Sequence, residues 1–216
     1  PKTPDENDFV YTDQPVTYDG KAQTASVTWK QGYDKTGAIT ITYKQGDEVK
    51  DPINAGIYDV WVTSAASDNF NATEFEIKKG TLTINLAEIT DVPNNFQLSK
   101  TSYNYGEEAK PTISLKQGSS LVAEGLGDIT PIYYNSQNEV VADPTAVGTY
   151  TVKITMTDGN GYSAITEPTE VGTFEIVCPD FTEPELIQNA SVKRCNGQTI
   201  EGGKGSIKVN NYESVY

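Results

Sequence analysis

Histidine is absent from the 216 residues of this chain. That removes Ser-His-Asp and Cys-His nucleophilic sites, His-ligated zinc and the commonest general base. Cysteine occurs twice, at Cys178 and Cys195, too few to build a zinc site alone. Methionine occurs once, and no apolar run approaches the roughly 20 residues of a membrane-spanning helix. Cations are also scarce, with 16 Lys and Arg against 30 Asp and Glu and a formal net charge of -14. A phosphate backbone or an anionic membrane would be repelled, which argues against nucleic acid as a partner. No glycine-rich loop followed by Lys and Ser or Thr is available to cradle a phosphate. A carboxylate pair of the kind glycosidases use is available in number, but nothing in the spacing singles one out. No enzyme, metal or cofactor is expected. The chain has no initiating Met or signal segment and reads as a piece of a longer protein.

What is present favours strands. Hydrophobic residues make up 36% and aromatics 10%, led by 13 tyrosines. Thr, Val, Ile and Tyr, which suit a pleated half-buried surface, are abundant. Tyr150, Val152, Ile154 and Met156 alternate with Thr151, Lys153, Thr155 and Thr157, and Tyr58, Val60 and Val62 alternate likewise. Ile39, Ile41 and Tyr43 mark another strand, as do Leu82 and Ile84. Turn residues punctuate these runs at Asp19-Gly20, Gln45-Gly46-Asp47, Asn54-Ala55-Gly56, Lys79-Gly80 and Asp158-Gly159-Asn160-Gly161.

The same landmarks occur twice, in the same order. Phe9 and Tyr18 have counterparts in Phe96 and Tyr105 at an offset of 87, and Lys30-Gln31-Gly32 in Lys116-Gln117-Gly118 at 86. Ile39-Thr40 matches Ile129-Thr130 at 90. Asp51-Pro52 and Gly56-Ile57-Tyr58 match Asp143-Pro144 and Gly148-Thr149-Tyr150 at 92, as Gly80-Thr81 matches Gly172-Thr173. The offset changes only between blocks, where hairpin loops absorb insertions, and rises to 92 by the last. The predicted fold is all-β: two tandem Ig-like antiparallel β-sandwich modules plus a short β-rich C-terminal tail. The expected boundaries are a flexible entry at 1–8, module 1 at 9–84, a linker at 85–95, module 2 at 96–177 and a C-terminal segment at 178–216.

Three motifs of the first module, Tyr18-Asp19-Gly20-Lys21, Asn54-Ala55-Gly56-Ile57-Tyr58-Asp59-Val60 and Gly80-Thr81-Leu82-Thr83-Ile84, resemble the MBG (YDG) family of Ig-like domains. Those modules occur in tandem in bacterial surface proteins. In the second module Tyr105-Gly106-Glu107-Glu108 and Ala146-Val147-Gly148-Thr149-Tyr150 depart from the pattern. The resemblance implies two tandem copies on a large extracellular protein of a bacterium, and no catalytic residue. The tail, with Cys195-Asn196-Gly197 and Gly205-Ser206-Ile207, resembles the opening of another surface-protein repeat. It either docks on module 2 or begins a further domain.

Few side chains stand out as functional. Trp29 shares a face with Ala25 and Val27 and is expected in the core. Trp61 falls on the face opposite Tyr58, Val60 and Val62. It either offers a stacking platform for a glycan or a surface protein, or is covered by the linker or the neighbouring module. Asp158-Gly159-Asn160-Gly161 has residue types of a Ca²⁺ loop but lacks the EF-hand spacing, so a plain turn is the competing reading. Asn71-Ala72-Thr73 and Asn189-Ala190-Ser191 fit the glycosylation pattern and are read as unmodified. Cys178 and Cys195 either form a disulfide closing 17 positions, which would stabilise by about 3 kcal/mol in the chain-entropy model, or remain separate thiols. The expected role is that of a non-catalytic extracellular structural or adhesive fragment, a spacer holding another domain away from the cell. The alternative is a carbohydrate- or protein-binding module using a sheet face or the loops around Tyr33 and Asp158.

Overall fold

The computed structural model describes residues 1–12, 14–178, 191–193 and 199–201, with side chains described through 178. The first half runs β1 (Phe9–Thr12), β2 (Val16–Thr17), β3 (Ser26–Trp29), β4 (Ile39–Gln45), β5 (Glu48–Val49), β6 (Gly56–Ser64) and β7 (Ile77–Asn85). The second opens with the four-residue helix α1 (Val92–Asn95). It continues with β8 (Phe96–Leu98), β9 (Ser102–Asn104), β10 (Ile113–Leu115), β11 (Ile129–Tyr134), β12 (Val140–Val141), β13 (Gly148–Met156) and β14 (Ile165–Val177). Beyond them β15 (Ser191–Lys193) pairs antiparallel with β16 (Thr199–Glu201).

Both halves have one architecture. A five-stranded sheet, ordered β2-β7-β6-β4-β5 or β12-β11-β13-β14-β9, faces a two-stranded ribbon of β1-β3 or β8-β10. The fold is all-β, two sandwich modules. The sheets are antiparallel except at one edge, where β2 pairs parallel with β7 and β9 parallel with β14.

Alternation along the long strands sets which side chains are buried. Tyr58, Val60, Val62 and Ser64 of β6 point into the first sandwich, and Tyr150, Val152, Ile154 and Met156 of β13 into the second. Backbone hydrogen bonds recur at matching positions. Tyr18 N–H donates to Asn85 O at 2.9 Å, and Tyr105 N–H to Val177 O at 2.9 Å. Lys30 N–H meets Asp8 O at 2.8 Å, as Lys116 N–H meets Asn95 O at 2.8 Å. The Tyr58 hydroxyl donates to Asn54 O and the Tyr150 hydroxyl to Ala146 O, each at 2.9 Å. Both long strands bulge at the same place, between Val60 and Trp61 and between Val152 and Lys153. Gly56 and Gly148 enter these strands at φ 149° and 154°, a backbone that side chains rarely adopt.

The cores differ in their rings. In the first sandwich Trp29 lies between Phe9 and Phe70, with ring centroids 4.6 and 4.7 Å away. Trp29 is half-buried at the sandwich margin rather than in the deep core, because its indole N–H reaches out to Gly37 O at 2.8 Å. In the second, Tyr103, Tyr133 and Tyr150 surround Phe174, with Tyr150 stacked on it at 5.2 Å. Burying such a ring contributes roughly 1.5–3 kcal/mol.

Three expected boundaries are redrawn. Residues 1–8, expected as a flexible entry, are pinned. Lys2 N–H donates to Asn69 O and Asn71 N–H to Lys2 O, each at 2.9 Å, and a capped 3-10 turn spans Glu6–Asp8. Within 85–95, expected as a linker, Asn85 ends β7 and Val92–Asn95 is helical under an Asp91 cap. Two compact units divide the chain. One is Pro1–Ile89 with Leu121–Asp128 and Thr157–Ala164; the other is Thr90–Ser120, Ile129–Met156 and Ile165–Tyr216. The expected module 2 at 96–177 therefore lends two segments to the first unit.

Candidate functional site

The outward face of the first five-stranded sheet is built by the residues that alternate with the core. On β6 these are Ile57, Asp59, Trp61 and Thr63, and Trp61 registers with Thr42 of β4 and Lys78 of β7. Trp61 is half-buried on that face, outside the core. Lys44 from β4 places its ammonium 4.9 Å from the indole centroid. That ammonium is held in turn by Glu76 at 2.5 Å, and Lys78 pairs with Asp59 at 2.7 Å. A cation over the ring is attracted by its quadrupole and takes the surface a sugar would stack on. The Trp61 Nε1 is buried without a hydrogen-bond partner.

The second sandwich repeats this pair with its members exchanged. Lys153 occupies the position of Trp61 and Tyr134 that of Lys44, as the shared registers with Thr42 and Asp59, and with Ile132 and Thr151, require. The Lys153 ammonium lies 4.7 Å from the Tyr134 ring. A diagonal aromatic–lysine contact is thus a feature of both sheets.

A second cluster ties down the start of the chain. Asp8 is 1% exposed, yet it accepts hydrogen bonds from the Lys2 ammonium, from Tyr33 OH at 2.7 Å and from Asp5 N–H at 2.9 Å. Burial alone pushes this carboxyl up, but Lys2, the Asp5 amide and Tyr33 together outweigh it and hold it below the ordinary aspartate value. Donation to Asp8 pushes the Tyr33 hydroxyl up, and the same carboxylate raises Lys2. The cluster closes on itself and presents neither a nucleophile nor a free ligand set. Tyr33, whose loop was a candidate for recognition, spends its hydroxyl here.

The Asp158 carboxylate accepts Ala164 N–H at 2.7 Å, so it braces its own loop. Asn71 Nδ2 donates to Thr3 Oγ1 at 3.0 Å. Asn189 lies outside the described residues. Among the described residues no group of His, Cys, Asp and Glu is placed to hold a metal, and no helix is long and apolar enough to cross a membrane. Cys178 is disulfide-bonded, while Cys195, the other half of the expected bridge, lies outside the described residues.

Phe75 escaped the sequence reading. It is 78% exposed between Glu74 and Glu76, just before β7, where no alternation marks it. Open clefts also mark the described surface. One of about 450 Å³ in the first sandwich is lined by Tyr11, Gln14, Val16, Ala25 and Leu82. One of about 380 Å³ in the second is lined by Asn135, Gln137, Asp143, Thr149 and Tyr150. Neither collects charged or ring groups aimed at one point.

Residues 11–88 match the MBG domain family model, a stretch that holds β2 to β7 and the three motifs named above. No curated protein matches the chain.

Proposed function

We propose that this chain is a non-catalytic spacer from the exterior of a bacterial cell, built from two modules of the MBG type. The observation that carries the reading is the exchanged aromatic–lysine pair. An aromatic that served as a ligand platform would need a free face at a fixed position. Here Lys44 occupies the ring of Trp61, and the second sandwich meets the same need with Tyr134 under Lys153. What recurs is therefore sheet support. The MBG match over residues 11–88 and the recurring hydrogen bonds at Tyr58 and Tyr150 support the same reading. Small sandwiches in series suit a spacer, since each offers few free edges.

The rival is a binding module that uses the Trp61 face, with exposed Phe75 beside it in sequence to Glu76. A glycan array and a pull-down with the purified chain separate the two. The spacer reading expects background signal that Trp61→Ala leaves unchanged. Saturable capture of one glycan or protein, abolished by Trp61→Ala, would establish the rival instead.

A further inference from the structure

The two late segments of the first unit, Leu121–Asp128 and Thr157–Ala164, meet the end that carries Tyr18-Asp19-Gly20 and Asn54-Ala55. Ala55 N–H donates to Asn160 O at 2.7 Å. Ala87 N–H donates to Gly161 O at 2.8 Å, and Ser163 N–H to Ala87 O at 2.9 Å, a short bridge beyond β7. Tyr162 sets its ring edge-on to Tyr18, with centroids 5.2 Å apart, and its hydroxyl oxygen accepts Val122 N–H at 3.0 Å. The segments also bind each other, with Gly161 and Tyr162 N–H both directed at Gly125 O, at 2.9 and 3.1 Å.

Glycines make this approach possible. A Cβ on Gly161 would fall 2.2 Å from a Tyr18 ring carbon, and one on Gly125 would fall 2.7 Å from the Tyr18 hydroxyl. Neither glycine has a positive φ, so what these positions require is space and not backbone freedom. From the other side, a Cβ on Gly20 would fall 2.4 Å from a Val122 methyl. The second sandwich offers a comparison among the described residues. Tyr105 occupies the position of Tyr18 and makes the same backbone bond, yet it is 42% exposed where Tyr18 is 5%. The late segments cover the Tyr18 ring, with Tyr162 edge-on to it and Gly125 and Gly161 against it.

We propose that the Tyr18-Asp19-Gly20 end of the first sandwich is a receiving seat for a pair of glycine-bearing loops. Its occupant is Leu121–Asp128 with Thr157–Ala164 of this same chain, and filling it is a condition of the first unit's stability. This goes beyond the spacer reading, because it makes a signature motif an intramolecular docking surface whatever the chain does. It also makes the stability of one repeat depend on sequence that belongs to the next, the nearest-neighbour coupling of repeat proteins.

The chain offers its own reporter, since its two tryptophans, Trp29 and Trp61, both lie in the first unit. Urea unfolding of the full chain followed by tryptophan fluorescence reads that unit. Gly161→Val forces a branched side chain onto a rigid ring, and the unfolding equilibrium constant seen by tryptophan should rise at least tenfold. Adding Tyr18→Ala clears the space, so the double variant should lose less than the two single variants combined. A tryptophan transition that Gly161→Val leaves in place, or singles that add with no relief, would overturn the proposal. Should Gly161→Val fail to fold, Tyr162→Phe deletes only the oxygen that accepts Val122 N–H. It should still raise the same constant roughly threefold to tenfold, and no change there counts equally against the seat.

Discussion

The first sandwich holds a tryptophan under a lysine, while the second holds a lysine over a tyrosine at the exchanged positions. Beneath the helical entry the same kind of substitution occurs. Asp8, bonded by Tyr33 OH at 2.7 Å, corresponds to Asn95, bonded by Ser119 OH at 2.7 Å. The contact survives in both copies while the chemistry changes. Residue identity at these sites is thus free to drift as long as a donor still finds an acceptor, or a cation a ring. Elsewhere the copies diverge in mass. Leu82 of the first core is replaced by Phe174 in the second, and three tyrosines gather around the larger ring.

The largest effect expected from that divergence is in the cores. Phe174→Ala should destabilise the second unit by about 4 kcal/mol, and Leu82→Ala the first by about 3 kcal/mol, the cavity cost scaling with the volume removed. Chemical denaturation followed by circular dichroism and tryptophan emission separates the two. If Phe174→Ala were the milder change, the ring cluster would not be where the second unit concentrates its stability.

An intermediate effect concerns acid. The Asp8 carboxyl is held below its ordinary value in the folded chain. Its contribution is therefore present above the unfolded-state pKa and is lost as pH falls through the folded one. Acidification should weaken the first unit at this site and leave the Asn95 site of the second untouched. Asp8→Asn, which installs the second unit's choice, should flatten the tryptophan-detected stability profile on the acidic side of about pH 4. An unaltered slope would assign that acid sensitivity to other carboxylates.

The smallest effect sharpens the exchange itself. Lys44→Tyr and Trp61→Lys each break the pair, and together they rebuild it in the second unit's order. A double-mutant cycle should return a favourable coupling of roughly 0.5–1 kcal/mol. Strict additivity would reduce the ring–cation contact to coincidence.

Much of this was legible in the residues alone. The alternation of Tyr58, Val60 and Val62 places Trp61 outward without any structure, and the offsets at Tyr18, Lys30 and Tyr58 mark positions where hydrogen bonds recur. Other features were not, for reasons that are physical. Pinning of residues 1–8 depends on Lys2 finding Asn69 and Asp8, neither of which advertises a partner. Lys44 lies 17 positions from Trp61, and only strand register sets them diagonally. Gly159 and Gly161 read as turn formers, and nothing local distinguishes a glycine needed for φ from one needed for room. The parallel edge was also hidden, because Val16-Thr17 is too short to carry a period.

That parallel edge has a mechanical meaning. In each sandwich an early strand, β2 or β9, lies beside the strand that closes it, β7 or β14, and both run the same way. Tension along the polypeptide enters by the first and leaves by the second, so the neighbours are dragged in opposite directions along their common axis. The hydrogen bonds joining Ser102, Tyr103 and Asn104 to Glu175, Ile176 and Val177 are then loaded in shear and resist as a group. An antiparallel closing pair would be peeled open one bond after another under the same pull. A pull on the ends of the chain would thus be met in each sandwich by a short edge strand, two residues in β2 and three in β9, lying against a long closing one.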